Sequence, residues 1–430
     1  VSYLALLALA GLLTLAGGGL LRRFGCPDRG AAHRLVFSFL AGALAWHLLL
    51  QALTLAGIPW KRSLLAVSLI GMAWLCRHGL RVRGGGRPAP QRRAPSVNAG
   101  WGDGVAALSV LAFALLAPTL WITTPDFVYH WGIKGEHTFL ARGIDYAWLT
   151  RPWNWSIHPD YPHLLPILYA STARLALRFD AASLQLWSVL FLGGIVLAAR
   201  AALGQAGVGR GTVQAGMALT GLAAAAYSVG YVFAGGADGM IALALAAALP
   251  ALLSPIEPAG PAGDLEIGIA AGFAAASKIE GVPLAAFLVG VHLVRRLRGG
   301  LLAGPSGPRR AGIAILAAGG PALAVALPWF VQAHRYHLFQ AGNSGPFDWR
   351  RGRVVLPAML DALCAPELHY LPWAVALLPL LWLARRTRPA AAVVSAQLGF
   401  YFWVYFASVL EPRFYVLSNF ARLLFHLLPA

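Results

Sequence analysis

Apolar runs of about twelve to twenty-five residues recur along almost the whole chain, and most breaks between them carry arginine. This alternation constrains the fold more than any motif. A backbone segment of that length finds no water in a hydrocarbon core, so it must satisfy its own amides as a helix. Only 12% of the 430 residues are charged, against about 25% in soluble domains. So few charges cannot clothe a globular surface, whereas lipid asks for none. The expectation is an all-α, polytopic integral membrane protein with about 10 to 12 membrane segments.

The formal net charge of +18 would suggest nucleic acid in a soluble chain. Here the basic residues fall in short clusters between apolar runs, the pattern of loops retained on the cytoplasmic side. Nucleic-acid binding is therefore not expected, and membrane lipids are the expected surroundings. Cys26, Cys76 and Cys364 form neither a CxxC pair nor a metal spacing. The run from Tyr3 to Leu21 lacks a basic leader and reads as a first helix rather than a cleaved signal. The last residues open like another apolar segment, so the chain reads as a fragment.

Helices are expected near 2–21, 35–58, 63–76, 104–122, 184–202, 213–233, 240–253, 266–277, 282–294, 311–331, 371–384 and 389–410. Residues 1–103 make three N-terminal helices and a basic Gly/Pro-rich linker with Arg81, Arg83, Arg87, Arg92 and Arg93. Residues 104–430 make the core of a single membrane domain. The stretch 164–177 is apolar but short, and is read as juxtamembrane or re-entrant, with a true crossing as the alternative. The arginine parity then places a first loop, 123–163, and a second, 332–369, on the outer face. Asp238, Lys278/Glu280 and Arg413/Arg422/His426 fall on that same face. Ionisable groups at membrane-helix ends are expensive and are candidate functional residues.

In the first loop, Asp126, Tyr129, His130, Lys134 and His137 recur at helical spacing. The tryptophans at 131, 148, 153 and 155 suit a helix lying in the interface. Juxtamembrane helices are therefore expected within this loop. His158, Asp160 and Tyr161 sit among prolines just before an apolar segment. The bland readings are an amphipathic helix with solvated charges, an N-cap role for Asp126, lipid-headgroup snorkelling for Lys134, Lys278 and Arg422, and neutralisation of Lys278 by Glu280. Phe347, Asp348, Trp349, Arg350 and Arg351 in the second loop would suit a sugar face and a phosphate, and read more simply as an interfacial belt.

The order of motifs carries a resemblance. It runs from a loop acid (Asp126) through W-x-x-K (Trp131, Lys134) to YPxLLP (Tyr161–Pro166). GGAD (Gly235–Asp238), SKIEG (Ser277–Gly281) and R-x-x-x-H-x-x-P (Arg422, His426, Pro429) follow. Over residues 120–430 this resembles the bacterial GT-C superfamily, in its protein-mannosyltransferase and aminoarabinose-transferase-like group. The first three helices are extra to the simplest family plan. The resemblance implies a multi-pass enzyme of the bacterial inner membrane with its catalytic loop facing the periplasm. Its donor would be a polyprenyl-phosphate sugar and its acceptor a glycan, lipid or protein.

By that resemblance Asp126 is the expected base, with Asp160 as the alternative carboxylate. Lys134, Lys278, Arg422 and His426 are expected at the donor phosphate. His130, His158, Tyr161, Asp238 and Glu280 are expected at the acceptor or sugar. No cofactor is expected to be required, although Asp126, Asp160, Asp238 and Glu280 could together attract a divalent ion. Nothing resembles a phosphate-binding P-loop or a dinucleotide fingerprint. The competing readings are a transporter or flippase of lipid-linked sugars, and an O-antigen ligase or polymerase. A transporter would place its charges near the midplane in paired halves; a ligase would carry its arginine and histidine in a large late loop.

Overall fold

The computed structural model describes residues 1–26, 29–78, 99–230, 235–254, 262–339, 345–364, 376–427 and 429. The linker arginines between 81 and 93, part of the second loop and the start of the helix expected near 371 lie outside these residues. The described chain is helical and contains no β-strand.

The helices in chain order are α1 (Ser2–Arg23), α2 (Ala31–Leu55), α3 (Arg62–His78), α4 (Trp101–Leu120), α5 (Gly132–Ala141), α6 (Tyr146–Leu149), α7 (Leu164–Ala176), α8 (Ala181–Leu184) and α9 (Leu186–Ala206). They continue with α10 (Arg210–Gly230), α11 (Asp238–Leu253), α12 (Ala262–Ser277), α13 (Gly281–Arg298), α14 (Gly307–Arg335), α15 (Gly352–Leu363), α16 (Leu378–Leu383), α17 (Arg388–Ala407) and α18 (Pro412–Phe425). Among the described residues six spans are long and apolar enough to cross a membrane: α1, α2, α4, α8 with α9, α14 and α17. The expected ten to twelve segments also include helices that are shorter or more charged than these. The shorter apolar helices include α7 and α11.

The outward faces are what lipid requires. Leu108, Leu111 and Leu115 of α4 are 66%, 55% and 73% exposed, and their spacing puts them on one stripe. In water such a stripe would be an aggregation site; in a bilayer it is solvated. This is a multi-pass α-helical membrane protein.

Inside, small residues let helices approach. A Cβ on Gly17 would stand 1.9 Å from the Ser38 carbonyl oxygen, and one on Gly42 would stand 1.9 Å from that of Leu13. Close α1–α2 packing of this kind replaces the hydrophobic drive that lipid cannot supply. The N-terminal helices are also tied to the core, because Trp46 Nε1 donates to Ser171 Oγ at 3.0 Å and Arg29 pairs with Glu266 at 3.0 Å.

The bundle has two polar ends. At one end Arg200 pairs with Asp103 at 2.8 Å, His292 and Arg296 hold Asp264, and Arg295 donates to the Ser254 carbonyl. The other end receives the 123–163 segment, the start of α11, the α12–α13 turn and α18. The thirteen-residue α7 is buried behind that segment. At about 1.5 Å per residue it reaches about 20 Å, short of a ~30 Å hydrocarbon core.

Candidate functional site

The segment after α4 begins with a short 3-10 turn, Trp121–Thr123, and then a π-helical turn, Phe127–Trp131, that runs into α5. A π turn inserts one residue into the helical register. It therefore breaks the single face expected for Asp126 through His137. Asp126 points to the bundle and makes no side-chain cap bond, so the N-cap reading does not describe its carboxylate. Lys134 is buried, whereas Tyr129 is exposed. His137 turns away, pairs with Asp145 at 3.0 Å and stacks on Trp148 at 3.9 Å. Trp131 is buried rather than interfacial, while Trp153 and Trp155 are exposed.

Four distant parts of the chain meet around Asp238. This carboxylate opens α11 and is 1% exposed. Its Oδ2 accepts from Arg422 at 2.6 Å. Its Oδ1 accepts from Lys278 at 3.2 Å and faces His426 Nε2 at 2.7 Å. The same Arg422 guanidinium grips both oxygens of Asp126. Lys278 reaches Glu280 at 3.1 Å, as expected across that turn. The turn is tight because α13 starts on a glycine: a Cβ on Gly281 would stand 1.9 Å from the Ala274 carbonyl oxygen. With both oxygens engaged and almost no exposure, Asp238 holds cations in place.

The 158–163 segment forms the adjoining wall. His158 takes a left-handed φ of 52°, which turns its carbonyl onto Lys134 Nζ at 3.1 Å. Lys134 Nζ also lies 4.3 Å from the Trp131 ring centre and 5.6 Å from that of Tyr161. Lys278 approaches the same tyrosine at 5.7 Å, so one aromatic ring serves two ammonium groups. The His130 and His158 rings are 4.8 Å apart. All eleven residues singled out as site candidates from the sequence thus lie in one region. Phe347 and Trp349 instead pack on Phe406 of α17.

The electrostatics separate the two candidate bases. Asp126 is committed to Arg422. Asp160 keeps a buried Oδ1 with no hydrogen-bond partner, and burial raises its carboxyl to about 6 despite the nearby Lys134 ammonium. Burial also lowers Lys134 to about 7, against the pull of Asp160 and Asp126. His158 is lowered to about 3, first by burial and then by His130 and the two lysines. His130 is lowered for the same first reason. Both imidazoles are therefore neutral near pH 7 and able to donate or accept a hydroxyl hydrogen bond. Four carboxylates (Asp126, Asp160, Asp238, Glu280) face three cations (Lys134, Lys278, Arg422), so the resting site has no surplus positive charge. An arriving phosphate must displace a carboxylate from a cation. Among the described residues no group of three or more His, Cys, Asp or Glu side chains is arranged to hold a metal.

The sequence reading missed three supporting residues. Tyr401 Oη meets His426 Nδ1 at 2.7 Å, Gln397 Nε2 donates to the Glu280 carbonyl at 3.1 Å, and Trp329 Nε1 donates to the Asp160 carbonyl at 3.2 Å. Gln397 and Tyr401, four residues apart in an apolar helix, were the available signal. Comparison of the chain with protein families, curated proteins and solved structures yields no match. The case for a function therefore rests on the side chains themselves and on the order of their motifs.

Proposed function

We propose that this protein is an inverting glycosyltransferase that moves a sugar from a polyprenyl-phosphate carrier to an acceptor hydroxyl or amine. The observation that carries the reading is the meeting of Asp126, Asp238, Lys278, Glu280, Arg422 and His426 beside Asp160, at one end of a lipid-solvated bundle. A lipid-linked donor keeps its tail in the bilayer and presents its phosphate at that depth. The transfer needs a base on the acceptor and cations on the departing phosphate.

In this reading Asp160 Oδ1 takes the acceptor proton, because it is unpartnered and its acidity suits a base working near neutrality. The acceptor atom bonds to the anomeric carbon as the carbon–phosphate oxygen bond breaks. The polyprenyl phosphate leaves with the bonding electrons, held by Arg422 and Lys278. Asp126 and Glu280 hold those cations until the phosphate competes for them. Asp238 and His426 position the cations, Lys134 neutralises the wall, and His130 and His158 hydrogen-bond sugar or acceptor hydroxyls above Tyr161. No metal enters any step. By the positive-inside rule the arginine-rich end faces the cytoplasm, which turns the site to the outer face of a bacterial inner membrane.

Proteoliposomes supplied with polyprenyl-phosphate sugars test this. Asp160→Asn should lower transfer by about 10²–10⁴-fold, the usual contribution of a general base. Transfer that survives Asp160→Asn but is abolished by Asp126→Asn would return the base role to Asp126. Absence of transfer from every such donor would sink the reading itself.

A further inference from the structure

The arginine-rich end of the bundle, opposite the candidate site, carries a second feature. Between α13, α16 and α17 lies a groove of about 790 Å³, within the range of sites that hold small ligands. Its walls are apolar and include Phe287, Gly290, Val291, Val294, Trp382 and Ala392. Spacings of three and four residues along α13 place its contributors on one stripe. Arg295, Arg298 and Arg388 line it as well.

The two helices bring those arginines to the same groove because they run antiparallel. The start of α13 and the middle of α17 meet at the Gln397–Glu280 hydrogen bond, so the end of α13 lies beside the start of α17. The arginines are anchored by neutral carbonyls. Arg388 Nε donates to Trp382 at 3.0 Å, and Arg295 donates to Ser254 at 2.8 Å. Among the described residues no carboxylate pairs with Arg295, Arg298 or Arg388. Three guanidinium groups without a carboxylate partner, lining an otherwise apolar groove, call for an anion attached to a hydrocarbon chain.

We propose that this groove binds one anionic glycerophospholipid of the adjacent leaflet. An acyl chain lies along Phe287, Val291 and Val294, and the phosphate lies among Arg295, Arg298 and Arg388. Basic pockets between membrane helices take anionic headgroups in this way. Gly290 shapes the groove, since a Cβ there would meet nothing within 4 Å. A large side chain at 290 would fill the space of the lipid chain without striking the fold.

Native mass spectrometry of delipidated protein titrated with phosphatidylglycerol, phosphatidylcholine or inorganic phosphate tests the proposal. Phosphatidylglycerol should bind more tightly than phosphatidylcholine, and inorganic phosphate should not displace it. Arg298→Gln and Arg388→Gln should each weaken phosphatidylglycerol about five-fold, which corresponds to about 1 kcal/mol per basic residue. Gly290→Trp, with every arginine kept, should remove the bound lipid. Equal retention of the two lipids, or unchanged binding in the arginine variants, would overturn the charge argument. Unchanged binding in Gly290→Trp, or displacement by inorganic phosphate, would show that no lipid chain occupies the groove.

Discussion

Arg422 offers the sharpest test of the polar network, because its removal can be read without knowing a substrate. Its guanidinium grips Asp126 with two nitrogens and Asp238 with one. Arg422→Met keeps most of the side-chain length and removes the charge. Two carboxylates then face each other across the vacated space, with Lys278 and His426 left on one side only. Breaking a buried pair by deleting one partner costs about 3–5 kcal/mol. The Arg422 side chain is 19% exposed, which points to the lower end, about 3 kcal/mol. The loss comes from stranded carboxylates, so Asp126→Asn added to Arg422→Met should restore part of it. The pair should show a coupling of about 0.5–3 kcal/mol in a double-mutant cycle. Equilibrium unfolding in mixed micelles supplies all four corners of the cycle. Strictly additive losses, or an Arg422→Met protein as stable as wild type, would refute the network as drawn.

Other outcomes follow from the same geometry. Transfer activity should fall below about pH 6 as Asp160 gains a proton, and above about pH 7 as Lys134 loses one; Asp160→Asn should abolish the acid limb, and a rate profile checks both. Gly281→Ala forces a Cβ against the Ala274 carbonyl oxygen, so it should destabilise the α12–α13 turn by about 1–3 kcal/mol and lower activity with it, read by unfolding and transfer assays. Tyr401→Phe strips a buried partner from His426 Nδ1 and should cost about 1–3 kcal/mol in the same unfolding measurement.

The helices were legible because apolar length and arginine parity act locally along the chain. Expected spans such as 2–21 and 389–410 fall close to α1 and α17. The site was legible to the extent that ionisable residues at apolar helix ends are few, which picked out Asp238, Lys278 and Arg422. Their partnership was not legible, since Asp126 and Arg422 are 296 residues apart and nothing local joins them. The register of the first loop was not legible either. An ordinary helical count carries one face from Asp126 and Tyr129 through to Lys134 and His137, and the π turn at Phe127–Trp131 shifts the first two against the last two. Asp264 and Glu266 drew no attention in a helix start. Yet they are buried against His292 and Arg296, and against Arg29 and His33.

The burial of Asp238 has a consequence for how the protein is made. Synthesis reaches Asp238 forty residues before Lys278 and 184 before Arg422. During biogenesis this acid is made before any of its three partners, Lys278, Arg422 and His426. An unpaired carboxylate at that depth is costly enough to favour its protonated form. Lys278 supplies the first counter-charge, and the full set of partners is complete only once α18 docks. A nascent chain arrested before α18 would hold this acid with Lys278 alone, one cation where the folded site supplies Lys278, Arg422 and His426.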